Sequence, residues 1–141
     1  MKRTWLIGLI LLLSVFIVSG CATAPITKTS LTERDVTVLK GKWSGTRTVG
    51  TTPGGITDLE IFNDLVPLRG RLLIHGSQLQ RSATPVVLNF SNGRINKEGD
   101  LIITDERNEF EFSLYKTDGK MKLEGKYFLA GFTGTLTLQK E

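Results

Sequence analysis

The chain has 141 residues, and its 18 basic residues exceed its 14 acidic residues by four. That length suits one hydrophobic core and is too short for two. The positive excess is small and not clustered, which argues against a nucleic-acid partner. The single histidine and single cysteine argue against a zinc site, an internal disulfide and most nucleophilic catalysis.

An uncharged apolar run follows two basic residues at the N-terminus. Lys2 and Arg3 precede the run 5–18, which is shorter than the roughly 20 residues that a membrane-spanning helix needs. A positive start, an apolar core and small residues before a cleavage site are typical of a secretion signal. The residues that come directly after the run are Val18, Ser19, Gly20 and Cys21.

These four residues resemble the lipobox of bacterial lipoproteins. The resemblance implies a lipoprotein signal peptide at 1–20 that is cleaved before Cys21, whose thiol receives a diacylglycerol group, with palmitate-type acyl chains completing a stable membrane anchor. Ala22, a residue other than aspartate after the cysteine, implies the outer membrane, facing the periplasm, in a Gram-negative source. The alternative is an ordinary secretion signal or an uncleaved anchor.

Residues 21–38 are predicted to be a lipidated tether with a possible short helix. The stretch 22–29 contains threonine and proline and shows no hydrophobic period, which is typical of a linker. Ser30 and Glu33 then have the spacing of a capping box. We therefore expect one or two helical turns to lead into the domain at 39–141.

From residue 39 onward the hydrophobic period is two, which predicts half-buried strands. Turns are expected at 51–55, 76–84, 106–108, Asn92-Gly93 and Asp118-Gly119. Short strands joined by short turns predict an all-β domain, a single antiparallel up-and-down barrel of about eight strands, because closure removes exposed edges. The predicted strands are 41–50, 56–63, 68–76, 85–91, 100–105, 109–114, 120–129 and 132–138, with a possible ninth at 94–97.

Glycine recurs on the apolar face of four of these strands. Gly45, Gly70, Gly125 and Gly134 each stand in an alternating segment. Glycine within a strand permits sharp bending and close approach of another backbone. We therefore expect these four positions to be points where the barrel wall coils.

The start of the first strong strand resembles a family motif. Gly41, Lys42 and Trp43 resemble the Gly-X-Trp that opens lipocalin-like (calycin) barrels. The resemblance implies that Trp43 packs across the closed end of the barrel under a basic residue from near the last strand, with Lys140 or Arg47 as the candidates. Trp43 as an ordinary core aromatic is the alternative.

Catalytic chemistry has few candidates in this chain. His75 is expected to be a surface imidazole at the end of a strand, without a nucleophile to serve. The carboxylates at 105–111 lack the spacing of a calcium loop, and the glycine-rich segment 50–55 is followed by a strand instead of the helix that a phosphate loop needs. We expect no enzyme activity, no metal site and no cofactor.

Two kinds of binding function remain. The first choice is a non-enzymatic, lipid-anchored protein of the cell envelope that binds a partner protein through its outer surface. The alternative is a lipocalin-like carrier with a small apolar ligand inside the barrel. The candidate surface contacts are Phe62, Leu73, Val87, Ile102 and Phe128. The candidate interior residues are Leu72, Ile74, Leu88, Phe90, Phe110, Phe112, Leu114, Leu123 and Leu136.

Overall fold

The computed structural model describes residues 25–76, 81–82 and 84–141. The lipobox, Cys21 and the apolar run all lie outside the described residues. Among the described residues, no helix is both long and apolar enough to cross a bilayer. The elements are β1 (Thr27–Thr29), a 3-10 helix (Val36–Leu39), β2 (Gly41–Val49), β3 (Thr52–Ile61), β4 (Leu68–Ile74), β5 (Val86–Ile95), β6 (Leu101–Thr104), β7 (Asn108–Thr117), β8 (Lys120–Leu129) and β9 (Phe132–Lys140).

Strands β2 to β9 form a closed antiparallel barrel of eight strands. Each strand pairs with the next along the chain, and β9 returns to pair with β2. The predicted up-and-down barrel is therefore confirmed. Closure follows from the turns, since short connections place consecutive strands side by side until the last meets the first.

One end of the barrel is covered by the N-terminal segment, and we call it the closed end. Leu31, Val36 and Leu39 of this segment are buried in the core. The turns at 117–120 and 96–100 lie at the same end, because the strands they connect start or finish there. The other end, where the turns 49–52 and 129–132 lie, is called the open end.

Part of the predicted tether belongs to the sheet. In β1, Thr27 lies opposite Lys116 and Thr29 lies opposite Leu114 of β7. Strand β6 occupies only residues 109–112 of the same β7 edge, so the remainder of that edge is free to pair with β1. Thr27–Thr29 were predicted to be part of the tether, but they form a strand because the free part of the β7 edge offers them backbone hydrogen bonds.

The short helix lies later than the capping-box spacing predicts. It covers Val36–Leu39, while Ser30 Oγ donates to the Glu98 carbonyl. The carboxylate of Asp35 accepts hydrogen bonds from the backbone N–H and the hydroxyl of Thr32. The turn before the helix is therefore stabilised by Asp35, and the expected Ser30–Glu33 box does not form.

Two predicted turns are wrong. Asn92 and Gly93 lie inside β5, with Gly93 opposite Leu68 of β4 at an irregularity in the strand register. The turn lies instead at 96–100, where Gly99 has a φ of +79° that glycine adopts without strain. The glycine-rich segment 51–55 is mostly strand, since β3 begins at Thr52 and only 49–52 forms the hairpin turn.

Three of the four recurring glycines lie directly opposite an aromatic ring. The pairs are Gly70 with Phe90, Gly125 with Phe112, and Gly134 with Tyr127. A Cβ at any of these glycines would meet that ring and also a backbone carbonyl of a neighbouring strand. A Cβ at Gly45 would likewise meet a backbone carbonyl of the neighbouring strand, that of Thr137. The expected close backbone approach is therefore present at all four positions.

Candidate functional site

A polar cluster lies on the outer wall formed by β2, β3 and β4. Strand register places Ser44 opposite Asp58, and Asp58 opposite Leu73. Ser44 Oγ donates to Asp58 Oδ1 at 2.5 Å, and His75 Nε2 lies 3.0 Å from Asp58 Oδ2. Arg81 Nε donates to Asp58 Oδ2 at 3.2 Å, and its Nη2 donates to Ser44 Oγ at 2.9 Å. We call Ser44, Asp58, His75 and Arg81 the outer polar cluster.

The histidine of this cluster is buried, which corrects the expectation of a surface imidazole. His75 faces outward but is only 4 % exposed, because Arg81 and Ser82 lie over the end of β4. The Ser82 backbone N–H donates to His75 Nδ1 at 2.9 Å. Since Nδ1 accepts that hydrogen bond, the ring proton is on Nε2 and is donated to Asp58.

Asp58 is held in its ionised form. Burial by itself would raise the pKa of this carboxyl, but the hydrogen bonds from Arg81, Ser44 and His75 outweigh burial and lower its pKa. The same contact with Asp58 raises the pKa of Arg81. The cluster therefore contains a stable carboxylate–guanidinium pair on a partly buried wall.

The geometry of the cluster does not match a nucleophile–base pair. Ser44 contacts the carboxylate of Asp58, and the imidazole of His75 contacts the other oxygen of the same carboxylate. Nucleophilic activation needs the base in hydrogen-bond reach of the hydroxyl. Here the carboxylate separates the two groups, and the remaining ring nitrogen is occupied by Ser82. The arrangement fastens Arg81 and Ser82 to the wall of the barrel.

A groove of about 340 Å³ adjoins the outer polar cluster. Its charged walls are largely paired, with Arg71 Nη2 2.8 Å from Glu60 Oε2 and Arg81 Nη2 3.6 Å from Glu141. Arg71 also lies over the Phe62 ring at 5.8 Å from its centroid. The groove thus presents an arginine flanked by an aromatic ring, a combination common at protein interfaces.

The candidate surface residues divide between two walls. Phe62 is half exposed beside Arg71, while Leu73 of β4 lies opposite Val87 of β5, so these three follow one wall from the closed end toward the open end. Phe128 is 46 % exposed but lies on β8, which is four strands from β4 in either direction around the barrel and at least three strands from β3 and β5. It therefore cannot join the same patch.

Ile102 is a correction, because it is 7 % exposed and does not belong to the surface. It lies on β6 opposite Arg94 and Glu111, whose longer side chains flank it. Strand β6 is only four residues long, and its neighbours on both sides extend past it. Alternation along the strand predicts the direction in which the Ile102 side chain points, but it does not predict that longer neighbouring side chains shield it from solvent.

The candidate interior residues all face the centre of the barrel. Seven are buried, and Phe110 stacks between Phe112 and Tyr127 with ring centroids 6.4 Å and 6.1 Å apart. Leu88 and Phe90 are partly buried beside a small opening between β5 and β6. The buried seven are Leu72, Ile74, Phe110, Phe112, Leu114, Leu123 and Leu136.

Trp43 lies at the closed end with a cation above it. Its Nε1 donates to the Leu39 carbonyl at 2.8 Å, which joins the 3-10 helix to β2. Lys140 Nζ lies 5.4 Å from the ring centroid and donates to the Val38 carbonyl at 2.6 Å. Burial lowers the pKa of Lys140. Gly41, which precedes this site, has a φ of +118° that glycine adopts readily.

Arg47, the other candidate partner of Trp43, lies at the opposite end. Its guanidinium donates to the Ile56 carbonyl at 2.9 Å and to the His75 carbonyl at 2.8 Å. Tyr127 Oη donates to the Thr48 carbonyl at 2.6 Å nearby. Polar side chains therefore cover the open end of the core just as the N-terminal segment covers the closed end.

The carboxylates at 105–111 are spread over a turn and a strand face. Asp105 accepts from the backbone N–H groups of Arg107 and Asn108, and these bonds lower its pKa. It therefore stabilises the β6–β7 turn. Within the described residues, no group of three or more histidine, cysteine or acidic side chains is placed to bind a metal.

Sequence reasoning missed the outer polar cluster. Ser44 and Asp58 lie fourteen residues apart, and only the register of β2 with β3 brings them together. Arg81 reaches the cluster from the connection between β4 and β5. An outward serine and an outward aspartate on adjacent strands, followed by the single histidine, were the available signal.

Comparison with models of protein families, with curated proteins and with solved structures finds no match to this chain.

Proposed function

We propose that this protein is a non-enzymatic, lipid-anchored lipoprotein of the cell envelope that binds a partner protein through its outer surface. The observation that carries the choice of surface over interior is a core filled by side chains. Trp43, Phe112 and ten aliphatic residues of this core each have less than 2 % of their surface exposed. An apolar ligand of ordinary size needs a pocket of about 300 Å³ or more.

The binding surface we propose is the wall that carries Phe62, Arg71, Leu73 and Val87, which we call the β3–β5 wall. Phe62 and Val87 are 50 % and 47 % exposed, and Leu73 lies between β3 and Val87. Aromatic and arginine side chains carry much of the binding energy of protein interfaces. Phe62 and Arg71 form such a pair here.

The lipid anchor that we propose on Cys21 would set the orientation of the barrel. Four residues lie between Cys21 and Ile26, so the five residue steps span at most about 18 Å when fully extended. Ile26 lies beside Tyr115, Lys122 and Lys140 in a groove at the closed end. The closed end would then face the membrane, and the open end would project away from it.

Two experiments test this proposal in cells. Metabolic labelling with an alkyne fatty acid should label the wild type and leave Cys21→Ser unlabelled and released from the membrane fraction. A photo-crosslinking residue at position 62 should capture one discrete envelope protein. The same residue at position 128, which has similar exposure on the opposite wall, is the matched control. Equal capture from both positions would contradict the proposed surface.

A carrier of a small apolar ligand remains the second candidate, because one observation favours it. A cavity of about 130 Å³ opens between β5 and β6, and Leu88, Phe90 and Phe110 line it together with polar residues of β5 and of the segment 104–108. This volume is close to the roughly 150 Å³ that holds a benzene ring. Saturable, one-to-one binding of a benzene-sized apolar ligand, lost in Leu88→Trp, would favour this second function over surface recognition.

A further inference from the structure

One stretch of the barrel wall has an unpaired strand edge. Strand β5 has ten residues and β6 has four, and the two share only the pairs Arg94 with Ile102 and Ile95 with Leu101. The first part of β5, from Val86 to Ser91, pairs with β4 on one side, and no described strand pairs with its other edge. The next residue, Asn92, already contacts β6, since its side chain donates to the Thr104 carbonyl. Such an edge presents a row of free N–H and C=O groups.

The free edge borders the cavity of about 130 Å³ described above. Inward-facing Leu72, Leu88 and Phe90 form one side of this cavity, and Ile103 and Phe110 form the other. Val86 and Val87, at the start of the same edge, are 59 % and 47 % exposed. The free edge of β5 and the adjoining cavity lie together at the open end of the barrel, and we call the two of them the notch.

The far side of the notch is acidic. The turn and strand start at 105–109 contain Asp105, Glu106 and Glu109, against two cations, Arg107 in the turn and Arg94 of β5, whose guanidinium donates to Thr104 Oγ1. Asp105 and Asn108 line the cavity itself. Hydrogen bonds from the turn backbone lower the pKa of Asp105, which favours its charged form. This side of the notch is therefore complementary to a basic group.

We propose that the notch binds an extended segment of a partner protein, which adds to the free edge of β5 as a further strand. Main-chain hydrogen bonds to Val86–Ser91 supply the attachment. One apolar side chain of the segment fills the cavity, and a neighbouring basic residue faces the turn at 105–109. This inference rests on the proposed function, because it takes from there that a partner protein is met in the cell envelope. It adds the kind of segment that the partner would present.

A second copy of this chain does not fit the notch in the same way. If β5 of one copy paired with β5 of another, the inward side chains Leu88 and Phe90 would already be packed in their own barrel. They could not also fill the cavity of the neighbour. A separate segment with a free apolar side chain meets both requirements, the open edge and the unfilled volume.

The test uses a synthetic probe and the mature protein in detergent. The probe is a capped nonapeptide of alternating threonine and leucine with a lysine at each end, and its binding is followed by fluorescence anisotropy. We expect saturable one-to-one binding that weakens about tenfold or more when the amides along one edge of the peptide are N-methylated. Hydrogen exchange should slow at amides within 86–91 when the probe is bound.

Two leucine-to-tryptophan variants separate the notch from the rest of the surface. Leu88→Trp fills the cavity and should weaken binding about tenfold, while Leu65→Trp, at a 72 % exposed leucine in the connection between β3 and β4 at the closed end, should change it less than about twofold. If Leu88→Trp fails to fold, Glu106→Lys on the exposed turn decides. This substitution should weaken the binding of the lysine-flanked probe and strengthen the binding of a probe that is flanked by glutamate.

Absence of binding overturns the inference, and so does binding that is indifferent to N-methylation or to both Leu88→Trp and Glu106→Lys. The outcome is distinct from a failure of the proposed function. If the probe does not bind while position 62 still captures an envelope protein, only the strand addition is wrong. If the probe binds while position 62 captures nothing, the β3–β5 wall is wrong and the notch stands.

Discussion

The carboxylate of Asp58 accepts hydrogen bonds from three side chains that come from three separate parts of the chain. Ser44 belongs to β2, His75 follows β4, and Arg81 lies in the connection to β5. The side chain of Asp58 is only 19 % exposed, and the imidazole beside it is nearly inaccessible. Removal of this carboxylate would leave the buried N–H of His75 without its acceptor.

We therefore predict that Asp58→Asn lowers the free energy of unfolding by about 1–3 kcal/mol, because hydrogen bonds to a charged group are lost and a buried donor is left unpaired. The measurement is urea denaturation monitored by circular dichroism. Glu60→Gln is the matched control on the same strand, since its pair with Arg71 is more exposed and should contribute less than about 1 kcal/mol. Equal losses in the two variants would contradict the prediction.

The lowered pKa of Asp58 predicts a pH dependence. The folded-state pKa lies below the ordinary value of 3.8, so the unfolded chain binds more protons in the interval between the two values. The stabilisation is complete above that interval and disappears as the pH falls through the folded-state pKa. Denaturation of the wild type and Asp58→Asn at about pH 5 and about pH 3 should show the difference between them shrinking in acid.

At the scale of the element, the glycine–aromatic pairs set how closely the strands approach. Gly125 lies opposite Phe112, and a Cβ there would meet both that ring and the Glu111 carbonyl. The Phe112 ring packs on the backbone of Gly125, where there is no side chain. The same residue pair therefore permits strong coiling of the wall and dense packing of the core.

We predict that Gly125→Ala destabilises the protein by about 1–3 kcal/mol, because the added methyl group overpacks a wall that cannot move outward. Thermal and urea denaturation measure the loss. Gly76→Ala is the control, since a Cβ there meets only an ordinary contact at 3.5 Å to Ser82 Oγ. A loss at position 76 as large as that at 125 would show that the cost arises from glycine replacement in general.

The N-terminal segment acts as a plug of the closed end. Leu39 is fully buried, while its neighbour Lys40 is exposed and makes a long ion pair with Asp64 at 3.6 Å. Truncation of a buried leucine typically costs about 2–5 kcal/mol, so we predict that Leu39→Ala destabilises the barrel by that amount. Lys40→Ala should change the unfolding free energy by less than about 0.5 kcal/mol in the same urea experiment.

At the scale of the whole molecule, the barrel has two unlike ends. The closed end holds the N-terminal plug, Trp43 and Lys140, and the open end holds Arg47 and the notch beside β5. If the anchor on Cys21 is present as we propose, the closed end lies near the membrane. The notch and the upper part of the β3–β5 wall then point toward the space in which a partner would be met.

This orientation leads to a prediction for the lipidated protein in vesicles. A fluorescent label at Lys120→Cys, at the start of β8 on the closed end, should be quenched by a quencher carried on lipid headgroups. The same label at Phe132→Cys, at the start of β9 on the open end, should be quenched much less. Both sites are exposed, so equal quenching would contradict the orientation.

The sequence was sufficient for most of the strands and for their inward faces, although the predicted strands 85–91 and 94–97 are the single strand β5, and β1 was not predicted. Alternation from residue 39 onward predicts half-buried strands, since successive side chains point to opposite faces of a sheet. The inward direction of residues such as Phe112 and Leu123 follows from that local rule. The eight-stranded closed barrel follows because each short turn forces neighbouring strands together. These properties depend on residues that are close in the chain.

Four features depended on the tertiary structure. They are the outer polar cluster, the residues that cover His75, the strand formed by Thr27–Thr29, and the notch beside β5. Each of them requires the register or length of strands that are far apart in sequence, such as the short β6 beside the long β5. A shift of one residue in register would turn every side chain to the other face, and periodicity alone does not choose among registers. Closure of the barrel, the plug and the close glycine contacts select one register, and that selection places Ser44, Asp58, His75 and Arg81 together.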